Sequence, residues 1–134
     1  MAQDLLVGSH LTTDMISVGS LIIKALDNAK VALKAAFWQY LPDEGTWRLF
    51  LVSTQVRSLG PRAVYRKVND VLVKLPASIS RPTTSDISVL DDKSTAYARV
   101  RSLLSDGTST DGVRLVRSSI EGKLLDDLYV YKAN

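Results

Sequence analysis

A chain of 134 residues with net charge +3 is sized for one domain and can bury a core that needs no cross-links. It has no cysteine, which excludes disulfides, thiolate metal sites and cysteine nucleophiles. The charge is too mild to demand a polyanionic partner by itself, and no apolar run approaches the eighteen or so residues of a membrane span.

Residues 1–12 are expected as a loose arm. The first ten lack a basic start and a long apolar stretch, so no signal peptide is expected, and a bacterial-type cytoplasm fits the missing cysteines. Thr12 or Thr13 is a suitable cap for a helix running to about Asn28. Met15, Val18, Gly19, Ile22, Ile23 and Leu26 recur at spacings of three and four, which places them on one face. Gly19 costs about 1 kcal/mol against Ala in a helix interior, so another element is expected to pack closely there.

All the Trp and Phe of the chain, Phe37, Trp38, Trp47 and Phe50, lie on two apolar runs around a turn-like segment, Leu41-Pro42-Asp43-Glu44-Gly45-Thr46. This predicts a hairpin with strands over 33–41 and 47–54. A four-residue loop, 42–45, sets Leu41 opposite Thr46. One face then carries Ala36, Trp38, Tyr40, Trp47, Leu49 and Leu51. The other carries Ala35, Phe37, Phe50 and Val52, interrupted by Gln39 opposite Arg48. Two apolar faces predict strands in the middle of a sheet with cover on both sides.

Gly60-Pro61 opens a second helix, since proline suits the first helical position. Val64, Val68, Val71, Leu72 and Leu75 form its apolar stripe, and Pro76 stops it. Residues 77–85 read as a loop, and 87–90 as a short strand. A third helix is expected over 95–104, with Ala96, Tyr97, Val100, Leu103 and Leu104 as its stripe. After an Asp/Ser/Thr/Gly connector at 105–112, strands are expected over 113–118 and 123–131, joined near Ile120-Glu121-Gly122. The order α-β-β-α-β-α-β-β predicts a single α+β domain: three helices and about five strands in a mostly antiparallel or mixed sheet.

Ala36-Phe37-Trp38-Gln39-Tyr40, then Trp47-Arg48-Leu49-Phe50-Leu51-Val52-Ser53, then Gly60-Pro61 and Tyr65, resemble a family of small bacterial α+β proteins of unknown function. In that family a Trp-Arg-Leu strand leads into a Gly-Pro helix start, and the chain closes with an aromatic strand similar to Asp127-Leu128-Tyr129-Val130-Tyr131. The resemblance spans most of residues 31–131. It implies no activity and assigns no functional residue.

Asp111, followed after nine residues by Glu121-Gly122-Lys123, resembles the signature of metal-dependent nucleases, in which carboxylates hold a divalent ion and the Lys serves the attacking water. A turn at Glu121-Gly122 splays those groups, and only eleven residues follow Lys123. Asp126 and Asp127 are strand neighbours and point to opposite faces. His10, the only histidine, sits on the arm, a poor mount for a catalytic base. No P-loop, dinucleotide-binding glycine pattern or EF-hand spacing occurs.

The positive charge is local. Residues 57–74 hold five basic residues and one acid, Asp70, giving +4 of the total +3 and leaving the remainder at −1. Arg62 and Arg66 are four apart on one helix face, with Arg57, Lys67 and Tyr65 nearby. Such a cluster suits phosphate oxygens of nucleic acid or an acidic protein patch; the alternative is the wet side of an amphipathic helix. Gln39 and Arg48 either line a small pocket or mark the rim of the core. The aromatic cluster reads as core before it reads as a ligand cleft.

The leading expectation is a non-enzymatic cytoplasmic binding or interaction module, with a protein partner or a second copy of itself, no membrane association, no cofactor and no metal. The alternatives are a nucleic-acid-binding protein using Arg57, Arg62, Arg66 and Lys67, and a divalent-metal nuclease using Asp111, Glu121 and Lys123.

Overall fold

Helix α1 (Thr13–Asn28) begins where its cap allows: the Met15 N–H donates to Thr12 Oγ1 at 3.1 Å, and the Thr12 N–H donates to Met15 Sδ at 3.4 Å. The computed structural model describes residues 11–41, 43–76, 86–103, 113–116, 119–120, 123–124 and 127–133. Of the expected arm, residues 11 and 12 are therefore described, and they are held: Leu11 packs on the core and Thr12 caps α1. Residues 1–10 lie outside the described residues.

Strands β1 (Ala35–Leu41) and β2 (Thr46–Val52) pair antiparallel, with Leu41 opposite Thr46 and Ala35 opposite Val52, the register that the four-residue loop predicts. Gly45 closes the turn with φ 67°, a conformation that costs a glycine nothing. β3 (Ile87–Leu90) pairs parallel to β2, and β7 (Asp127–Ala133) pairs antiparallel to both β1 and β4 (Val113–Val116). The mixed sheet runs β3-β2-β1-β7-β4. A parallel β2–β3 pair needs a crossover. It is built from α2 (Gln55–Leu59) and α3 (Pro61–Val73), followed by residues 77–85, which lie outside the described residues.

Both faces of the sheet are covered. Helices α1 and α3 lie on one face, over Ala36, Trp38, Trp47, Leu49, Leu51, Ile87 and Val89. Helix α4 (Thr95–Leu103) lies on the other, where Tyr97 and Val100 pack on Ala35, Phe37, Val52, Leu128 and Val130. Phe37 and Phe50 stack there with centroids 5.3 Å apart. Each large ring buries 150–250 Å² or so, which explains why the aromatic hairpin anchors the fold.

The fold class is α+β, but the counts differ from the expected three helices and about five strands. Four helices and seven strands occur among the described residues. Helix α2 has five residues, too few to show a helical period, and is set by Ser53: its buried Oγ accepts the Gln55 N–H at 3.1 Å and donates to the Ala32 carbonyl at 2.6 Å. The expected strand over 123–131 is two strands. β6 (Lys123–Leu124) pairs with β5 (Ser119–Ile120) in a separate two-stranded ribbon, and β7 carries the main sheet. No helix among the described residues is long and apolar enough to cross a membrane.

Candidate anion-binding groove

Helix α3 buries Val64, Val68, Val71 and Leu72, and this fixes which of its polar residues turn outward. Arg62 and Arg66, one turn apart, are exposed on the side toward β3. Between them Tyr65 reaches across: its hydroxyl accepts the Val89 backbone N–H at 3.0 Å. That bond ties the helix to the strand at the margin of the sheet and satisfies a donor that an edge strand would otherwise leave open.

The result is a groove of about 650 Å³, walled by Arg62, Tyr65, Arg66 and Asn69 of α3 and by Ser88 of β3, with buried Ile87 at its floor. Arg48 enters it from β2. Arg48 Nη1 donates to Ser88 Oγ at 3.2 Å, and Nη2 pairs with Glu44 Oε1 at 3.3 Å. Its Nε is buried and has no hydrogen-bond partner among the described residues. Arg62 and Arg66 take part in no ion pair among the described residues. Three guanidinium groups, a hydroxyl and an amide thus share one concavity, a donor set matched to phosphate oxygens.

The four basic residues singled out from the sequence are not brought together. Arg62 and Arg66 line the groove. Arg57, on α2, is engaged by Asp91 and Asp92 beyond the end of β3, at 3.1 Å from Asp91 Oδ1. The hydrogen bond and charge of Asp91 push the Arg57 guanidinium further up, and the Asp91 carboxyl is held below its ordinary range by hydrogen bonding with Asp92 and then with Arg57. Lys67 lies on a different side of α3, in a second cleft of about 530 Å³ between α3 and the end of α1, beside Asp70 and Lys74. Arg48 is the member that the basic-helix reading left out. Its strand position, opposite Gln39, fitted either a small pocket or the rim of the core; the groove includes Arg48 and not Gln39.

Asp111, Glu121, Asp126 and His10 lie outside the described residues; Lys123 is in β6 and Asp127 in β7. Among the described residues no group of three His, Asp or Glu side chains is placed to hold a metal ion. Trp38 and Trp47 are core residues, at most 1% exposed. Compared with known proteins, the chain matches no family model, no curated protein and no solved structure, so the chemistry of the groove carries the functional reading.

Proposed function

We propose that the protein is a non-enzymatic binding module that holds phosphate groups of single-stranded nucleic acid in the groove between α3 and β2–β3. The observation that carries this reading is the convergence of Arg48 from a strand with Arg62 and Arg66 from a helix, around a tyrosine ring fixed by its own hydroxyl. Guanidinium groups bind phosphate oxygens through paired, charge-assisted hydrogen bonds. An aromatic face beside them supplies a stacking surface for an unpaired base, worth about 1–3 kcal/mol where it is used. The basic residues gather in one shallow, open groove rather than along a long exposed stripe, which favours a single strand over a duplex.

A cysteine-free chain supports a reducing compartment such as a bacterial cytoplasm. The likeness to small bacterial α+β proteins with a Trp-Arg-Leu strand belongs to the same proposal and adds no activity to it.

Fluorescence anisotropy with a labelled oligothymidylate tests the reading. Affinity is expected to fall with salt at a slope of about 0.7 per phosphate engaged. The double substitution Arg62→Glu, Arg66→Glu is expected to abolish binding while leaving the fold intact, since both side chains are exposed. No binding at low salt removes the proposal.

A further inference from the structure

We infer that the groove reads a terminal phosphate monoester, the phosphorylated end of a strand, in preference to an internal phosphodiester. The inference rests on the binding function proposed above and adds the class of phosphate. Its first ground is focus. A module that tracks a backbone needs cations strung along it, and the residues that would extend the row are diverted: Arg57 is held by Asp91 and Asp92, and Lys67 faces the second cleft. What remains is three arginines in one concavity.

The second ground is the Glu44 carboxylate, which already sits on Arg48 at 3.3 Å. A phosphate that takes Arg48 Nη2 has to displace it. A phosphodiester carries one negative charge, so at Arg48 the exchange replaces one monoanion by another and gains little Coulomb energy there, leaving Arg62 and Arg66 to hold it. A phosphate monoester carries about 1.5 to 2 negative charges at pH 7 and gains on every arginine at once. Ser88 is suited to the same ligand: its Oγ accepts from Arg48 Nη1, which leaves the hydroxyl proton to donate into the groove. Glu44 is thus a built-in competitor that sets a charge threshold.

The test compares one oligonucleotide sequence with a 5′-phosphate, a 3′-phosphate or hydroxyl ends, against the wild-type chain, Glu44→Gln and Arg48→Met. The wild type is expected to bind one phosphorylated end about ten-fold or more tighter than the hydroxyl form, the worth of one charge-assisted hydrogen bond. Glu44→Gln, an exposed turn position, is expected to narrow that ratio by strengthening the hydroxyl form more than the phosphorylated one. Arg48→Met keeps an aliphatic stem in the sheet and is expected to lose the preference. Equal affinity for all three forms in a wild type that binds overturns this inference and leaves the binding proposal standing. A ratio unmoved by Glu44→Gln overturns the charge threshold. No binding of any form overturns both.

Discussion

The indole N–H of Trp38 donates to the Tyr131 hydroxyl at 2.9 Å, and that hydroxyl in turn donates to the Ile16 carbonyl at 2.6 Å. The chain thereby ties β1, β7 and α1 at one buried point. Tyr131 lies two residues beyond Tyr129, the partner of Trp38, and so shares the Trp38 face; the β1–β7 register shifts by one residue between Ala36 and Phe37, which leaves Tyr131 as the extra residue of a β-bulge. The polar link matters more than its size suggests, because the buried Trp38 indole N–H would be an unsatisfied donor without it.

Tyr131→Phe leaves the Trp38 indole N–H in the core without its acceptor. A loss of about 1–3 kcal/mol is expected, the desolvation cost of one stranded donor. Urea unfolding followed by tryptophan fluorescence measures it. A change within error would mean that the network is dispensable.

Gly19 faces the same point. A Cβ there would lie 2.9 Å from Trp38 Nε1 and 2.8 Å from Tyr131 Cζ, with the Tyr131 hydroxyl nearer still. Gly19→Ala is therefore expected to destabilise by about 1–3 kcal/mol from overpacking, although alanine by itself favours a helix interior by about 1 kcal/mol. In the double variant with Tyr131→Phe the hydroxyl is gone and part of the clash with it. The two effects are expected to sum to less than their separate costs, a coupling that a double-mutant cycle reads directly.

The pH dependence at the alkaline end follows from the same residue. Burial pushes the Tyr131 phenol well above its ordinary 10.0, a shift only partly opposed by the Trp38 hydrogen bond. The unfolded chain therefore loses this proton first. Stability from the neutral phenol is complete below pH 10 and falls as pH rises beyond it, by up to about 1.4 kcal/mol per pH unit. Unfolding profiles between pH 9 and 11.5 are expected to be steeper for the wild type than for Tyr131→Phe. Parallel profiles would show that Tyr131 ionises as freely folded as unfolded.

The hairpin was legible because its information is local. Apolar residues on both faces of two strands and a loop of fixed length leave one register that buries both faces, and Leu41 does face Thr46. The close approach at Gly19 was legible as a cost without a local cause, but not the identity of its neighbours: Tyr131 is 112 residues further along. Half of the basic cluster was legible too. Helical geometry sets Arg62 and Arg66 on one side, and the same geometry rotates Lys67 about 100° from Arg66, toward Asp70 and Lys74. Two facts lay beyond any local reading. Arg57 meets carboxylates 34 and 35 residues away, and Arg48 joins the groove only because β3 pairs parallel with β2 and carries Ser88 to it. Both depend on a crossover, whose landing site is a property of the whole sheet.

That difference makes Arg57 the control for the groove. A basic residue near Arg62 in sequence would be expected to bind phosphate with it; one already engaged by Asp91 and Asp92 would not. Arg57→Ala is expected to leave oligonucleotide affinity and its salt slope unchanged, in contrast to Arg62→Glu with Arg66→Glu. Its effect belongs at acidic pH. The folded-state pKa of Asp91 lies below the ordinary carboxylate value, through Asp92 first and Arg57 second, so its contribution is present above about pH 4 and is lost as pH falls through the folded value. Because these side chains are exposed, the contribution is small and screened by salt. Acid unfolding at low ionic strength is expected to be shallower in Arg57→Ala, with the two profiles merging at the acid end. Weakened oligonucleotide binding in this variant would instead place Arg57 in the ligand's path and redraw the groove.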